Sequence, residues 1–162
     1  MAFQRLIIDG YSLIHRDPET KRIVADNLRR AREVLIEKIS RTATAMADHV
    51  TVVFDGQQTG GSSPGGIQAI EIVYSSSGQT ADTVIERLVH QASNPSAWLI
   101  VTNDRRERET VLATGAQTMS CAVFLEECVN ITRHQQQSMR RQSLKQPGPK
   151  LGDYFPKDSP PS

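Results

Sequence analysis

The sequence predicts an α/β fold: a three-layer α/β/α sandwich around a central, mainly parallel sheet. Two observations carry this. Short β-branched runs alternate with segments of helical period, and aspartates recur just where the strand runs stop. The chain has 162 residues, 38% of them hydrophobic, which suits one domain with a single buried sheet and leaves little room for two.

Leu6-Ile7-Ile8 reads as a buried strand closed by a turn at Asp9-Gly10. From Asp26 to Ala47 the apolar positions Leu28, Ala31, Leu35, Ile39, Ala43 and Met46 step by threes and fours, one face of a long helix. Residues 50–54 form a second strand closed by Asp55-Gly56, and residues 56–66 hold five of the ten glycines, a loop. Ile70 to Tyr74 is a third strand, and Thr80 caps a helix whose inner face is Val84, Ile85, Leu88 and Val89. Residues 98–101 are the fourth strand. Asp104 opens a helix that stops at Gly115, a short strand follows over 116–119, and Ser120 caps a helix burying Phe124, Leu125, Cys128 and Ile131. The apolar period dies at Gln135-Gln136-Gln137. The expected organisation is one domain over residues 1–140 and a basic, proline-rich disordered tail over 141–162, since five of eight prolines fall in the last sixteen residues.

Charge is uneven although the total is only +1: residues 130–162 hold six basic groups against two acids, so an acidic body carries a basic end. No apolar run reaches the ~18 residues of a membrane span, and no charged and apolar leader precedes Leu6, so neither membrane nor secretion is expected. Cys121 and Cys128 lie seven apart on one helix. That spacing separates them by about 10 Å, too far for a disulfide, and free thiols point to the cytoplasm.

The acids carry the chemistry. Asp9, Asp55 and Asp104 each follow a strand, and Asp82 sits in the first turn of the helix after the third strand. In a parallel sheet all four project to the carboxyl edge, where such folds bind ligands. Converging carboxylates repel one another, and an all-oxygen acidic set suits Mg²⁺ or Mn²⁺, with metal-activated water attack on a phosphodiester as the matching reaction. Taken singly, each aspartate also reads as a turn former or helix cap. Glu86 lies one turn from Asp82, a like-charge pair on one helix face. Arg105 and Arg106 occupy a first helical turn that disfavours cations, and there they either hold substrate phosphate or form a solvated face paired with Glu107 and Glu109. No GxxxxGK[ST] occurs, and aromatics are 5%, against a stacking sheet for RNA; Tyr11, beside Asp9, either stacks on one base or is a partly buried turn tyrosine, the commoner case.

Leu6-Ile7-Ile8-Asp9-Gly10-Tyr11-Ser12-Leu13-Ile14, with Val52-Val53-Phe54-Asp55-Gly56, Thr80-Ala81-Asp82 and Val101-Thr102-Asn103-Asp104, resembles YacP-like NYN domains of the PIN-like nuclease superfamily. The resemblance spans residues 3–140. It implies a PIN-like sandwich and a metal-dependent endoribonuclease that cuts single-stranded RNA, with mRNA and a translating ribosome as partners and no DNA. By position it implies Asp9, Asp82 and Asp104 as metal-site acids, Asp55 as a fourth and Thr102 as a supporting hydroxyl. Ser12 stands where the family commonly has Asn, keeping an oxygen but losing an amide donor. Two other readings remain open from the residues: a non-catalytic adaptor for RNA or ribosome, and a Mg²⁺-dependent nucleotide phosphohydrolase.

Overall fold

A computed structural model describes residues 2–56, 69–145 and 148. In chain order the elements are β1 (Phe3–Asp9), α1 (Gly10–Arg16), α2 (Pro18–Val24), α3 (Leu28–Met46), β2 (Ala47–Phe54), β3 (Ile70–Tyr74), α4 (Ala81–His90), β4 (Trp98–Val101), α5 (Arg105–Ala113), β5 (Gln117–Met119) and α6 (Cys121–Lys145). The strands form one sheet in the order β3-β2-β1-β4-β5, every pair parallel. The chain therefore builds outward on one side of β1, then crosses to the other. That reversal puts the topological switch point between β1 and β4, where an open parallel sheet leaves a crevice at its carboxyl edge.

Side-chain alternation along the strands assigns the two faces. Leu6 and Ile8 of β1, with Val50, Val52 and Phe54 of β2 and Leu99 and Val101 of β4, pack under α1, α3 and α6. Ile7, Val53 and Ile100 point the other way, against Val84, Ile85 and Val89 of α4 and Val111 of α5. Asp9 shares the face of Ile7, so the last side chain of β1 emerges on the α4–α5 side.

Two details depart from the sequence expectation, and a third expectation falls outside the described residues. Helices α1 and α2 follow β1, where the sequence suggests a turn at Asp9-Gly10 and no further element before Asp26; at seven residues each, they are too short to show a period. Their caps were nonetheless written in the sequence, since the carboxylates of Asp9 and Asp17 accept from Ser12 N–H and Thr20 N–H, with Pro18 at the first helical position. Secondly, α6 runs through the expected boundary at 140 and on to Lys145. Its buried residues stop early, but Gln, Arg, Met and Leu are good helix formers and no proline or glycine intervenes. Thirdly, the glycine-rich loop expected at 56–66 lies, after Gly56, outside the described residues, as does the chain beyond Gly148.

Gly10 is required where β1 hands over to α1. A Cβ there would collide with the Phe54 ring, so the bare backbone lets the two elements close over Phe54.

Candidate metal centre

Ile8 of β1 is in register with Val101 of β4, so the next residues, Asp9 and Thr102, lie side by side at the carboxyl edge. Both are buried. The first turn of α4 brings Asp82 to this point, and the first turn of α5 brings Glu107, which is only 2% exposed. Carboxylate oxygens of Asp9, Asp82 and Glu107 all fall within 4.8 Å of one another.

A set of hydroxyls fixes the cluster. Ser12 Oγ donates to Asp9 Oδ2 at 2.9 Å and Ser12 N–H to Asp9 Oδ1 at 3.3 Å. Thr102 Oγ1 lies 2.7 Å from Glu107 Oε2 and 3.3 Å from Asp9 Oδ2, so its single proton serves one acid at a time. The same oxygen accepts from Asp104 N–H at 3.1 Å, which locks Thr102 to the start of α5. Glu107 Oε1 is buried without any hydrogen-bond partner among the described residues. A buried carboxylate oxygen left unpaired is costly and is normally explained by a proton or an ion.

The electrostatics agree. Burial raises the Asp9 carboxyl above its usual range against the opposing hydrogen bonds from Ser12 and Thr102, and the Asp55 charge adds to the rise. Burial also raises Asp82, and the charges of Asp9, Asp104 and Asp55 push the same way. Glu107 is pushed up to about 8, first by burial and then by the charges of Asp9 and Asp82. Burial likewise drives the Cys121 thiol up to about 12, helped by Asp9 and Glu107, so this cysteine is no nucleophile. Both cysteines are free. Three oxygen ligands, two of them buried and one with an orphaned atom, fit a hard divalent cation rather than zinc or copper.

The other acids flank this trio. Asp55, after β2, accepts from Ala81 N–H and so ties β2 to the start of α4, one residue before Asp82. Asp104 accepts from Arg106 N–H at 2.8 Å and Glu107 N–H at 3.3 Å, capping α5 beneath Glu107. Of the four expected aspartates, the geometry brings Asp9 and Asp82 together and sets Asp55 and Asp104 at the two helix starts that deliver ligands. Glu86 takes no part in the cluster.

Glu107 was missed because it lies in the run Arg105-Arg106-Glu107-Arg108-Glu109, which reads as a solvated helix face. The signal that could have found it is the one that found Asp82: an acid in the first turn of a helix following a strand. Arg105 pairs with Glu109 at 3.3 Å on the exposed side, while Glu107 turns inward instead of joining that face. Arg106 is exposed.

Tyr11 is engaged within the fold. Its hydroxyl donates to the Asp55 carbonyl at 3.2 Å and accepts from Arg32 Nη2 at 2.6 Å, while Arg32 also donates to that carbonyl at 3.1 Å. The Arg32 guanidinium sits 5.2–5.7 Å from the centres of the Tyr11, Phe54 and Tyr74 rings. This cation–π cage, which the sequence reading did not anticipate, holds the peptide of Asp55 at the end of β2.

Comparison with known proteins bears on the same region. The family described as YacP-like NYN domain matches residues 6–159. A protein of Bacillus subtilis (strain 168) described as uncharacterized protein YacP is 28% identical over 148 residues, covering 90% of this chain and 87% of its own length. The crystal structure of Rae1 (YacP) from Bacillus subtilis superposes with a TM-score of 0.70 at 26% identity, over 88% of this chain and 83% of that one. A mutant form of Rae1 superposes equally well, over 86% and 84%.

Proposed function

Because the chain belongs to the YacP-like NYN domain family, with its PIN-like nuclease fold, we propose that it is a metal-dependent endoribonuclease acting on single-stranded RNA. The observation that carries this reading is Glu107 Oε1, buried and unpaired among three carboxylates. Asp9, Asp82 and Glu107 hold one or two Mg²⁺ or Mn²⁺ ions, with Asp104 and Asp55 beside them. Bound there, the cation supplies Lewis acidity and charge neutralisation for water attack on a phosphodiester.

The protein's own groups do the rest. Ser12 and Thr102 orient Asp9, so its lone pairs are presented in one direction rather than sampled. Thr102 performs the same service for Glu107. The Arg32 cage and Asp55 set the start of α4, and hence Asp82. Arg106, exposed at the rim, is placed to hold a substrate phosphate by its planar fork, with Arg105 beyond it. The substrate is mRNA engaged on a ribosome, and the protein acts in the cytoplasm; no helix of the described residues is long and apolar enough to cross a membrane.

The test is cleavage of a labelled single-stranded RNA in Mn²⁺, with and without ribosomes. Cutting by the wild type that is abolished by EDTA and by Asp9→Asn, with RNA binding retained, supports the proposal. RNA left intact under every condition favours an adaptor, and phosphate released from mononucleotides alone favours a nucleotide phosphohydrolase.

A further inference from the structure

The two halves of α6 differ in kind. Cys121 and Phe124 are buried and Leu125 and Cys128 pack against the core, whereas every residue from 132 to 145 is exposed. A helix of fourteen residues with no packing partner is marginal in water, and this one is polar apart from Met139 and Leu144, both exposed, so burial does not account for it. The outer half starts about 16 Å along the axis from Cys121 and extends roughly 20 Å further.

Its charge is one-signed. No acid occurs between Glu127 and Asp153, while Arg133, Arg140, Arg141 and Lys145 all fall in that interval. At ~100° per residue, positions i, i+7 and i+8 share a face, so Arg133, Arg140 and Arg141 form one stripe. The core-facing side of the first half continues instead through Gln135 and Gln142, at heptad steps from Cys128. The arginines are thus turned away from the body, and they make no ion pair among the described residues. The helix dipole does not account for them, because its field fades within the last turn and Arg133 lies three turns from the end.

We infer that residues 132–145 are a nucleic-acid-binding arm, in which Arg133, Arg140 and Arg141 grip the phosphate backbone of single-stranded RNA away from the acid cluster. The choice of polyanion rests on the nuclease reading; the arm itself rests on exposure and charge. Guanidinium groups suit phosphate by bidentate hydrogen bonds, and the interleaved glutamines add donors without competing charge. Net charge near neutrality means that affinity must come from such a local patch rather than from a broad field.

The experiment measures anisotropy of a labelled 20-nucleotide oligouridine in EDTA, where cleavage is off, across 50–200 mM KCl. The full chain is compared with R133Q/R140Q/R141Q and with K21Q/R22Q/R41Q, which removes equal charge from elsewhere on the exposed surface. The arm variant is expected to bind more weakly, with the slope of log affinity against log salt reduced by about 2. The charge-matched control is expected to follow the wild type. Glutamine keeps helix propensity, and circular dichroism confirms the helix. Equal binding by all three proteins overturns the arm, as does failure of the wild type to bind, an equal loss in the control, or binding only to anionic vesicles. Cleavage is scored separately in Mn²⁺. Arm-dependent binding without cutting leaves the arm and removes the nuclease, and cutting with arm-independent binding does the reverse.

Discussion

Asp9 and Asp17 make an instructive pair. Both are buried, both cap a seven-residue helix, and only eight positions separate them. Asp17 meets Lys38 Nζ at 2.8 Å and Thr20 N–H at 3.1 Å. Burial alone would raise its carboxyl, but those partners outweigh it and hold Asp17 below the usual range. Burial raises the Asp9 carboxyl too, and there the opposing hydrogen bonds from Ser12 and Thr102 do not outweigh it, with carboxylates rather than a cation for neighbours. The same capping geometry is therefore set once with its countercharge and once among like charges. The first arrangement stabilises the fold. The second costs stability until a cation arrives, and a feature that costs stability at the switch point of a parallel sheet points to function.

Activity separates the two most widely. Asp9→Asn and Glu107→Gln are expected to lower metal-dependent RNA cleavage by about 10²-fold or more, a typical cost of removing a group that stabilises charge at a reacting centre. Asp17→Asn should cut at the wild-type rate per folded molecule.

Stability should then move in opposite directions. Asp17→Asn keeps the cap but loses the Lys38 pair, and since Lys38 is partly exposed the loss is about 1–2 kcal/mol by urea denaturation. Glu107→Gln, measured without metal at pH 8, should leave the protein as stable as the wild type or more so, because it removes a buried like charge. A destabilised Glu107→Gln would erase the contrast.

The pH profile is a smaller effect with a defined sign. Glu107 titrates near 4.5 when unfolded and at about 8 when folded, so the folded state holds a proton the unfolded chain has shed. Its contribution is complete below pH 4.5 and fades as pH rises through 8. Metal-free protein should lose stability across that window, and Glu107→Gln should flatten the curve. Asp17 behaves inversely: its contribution is present above its ordinary 3.8 and is lost as pH falls through its lower folded value.

Much of this was legible in the sequence. β1, β2 and β4 show as β-branched runs because they are buried on both faces, and α3 shows by its period. Asp9 and Asp82 are found by asking which acids a parallel sheet sends to its carboxyl edge. Asp55 and Asp104 emerge from the same reasoning, but their carboxylates are also drawn to helix N–H groups, the competing role that aspartate always has. Glu107 is hidden because inward rotation of one residue in a charged run is set by packing, not by composition. The Arg32 cage is hidden for a related reason, since its partners come from α1, β2 and β3 and meet only in the fold. In α6 the apolar period finds Phe124, Leu125 and Cys128 against the core but also marks Ile131, which is only half-buried and outside it, and the helix end was not readable because helix propensity outlasts the apolar period.

Calorimetric titration of the metal-free protein with Mn²⁺ at pH 7.5 tests the central claim most directly. Saturable binding that Glu107→Gln abolishes and Asp17→Asn leaves unchanged is the predicted result. No saturable uptake, or uptake unaffected by Glu107→Gln, would contradict a metal centre built from Asp9, Asp82 and Glu107.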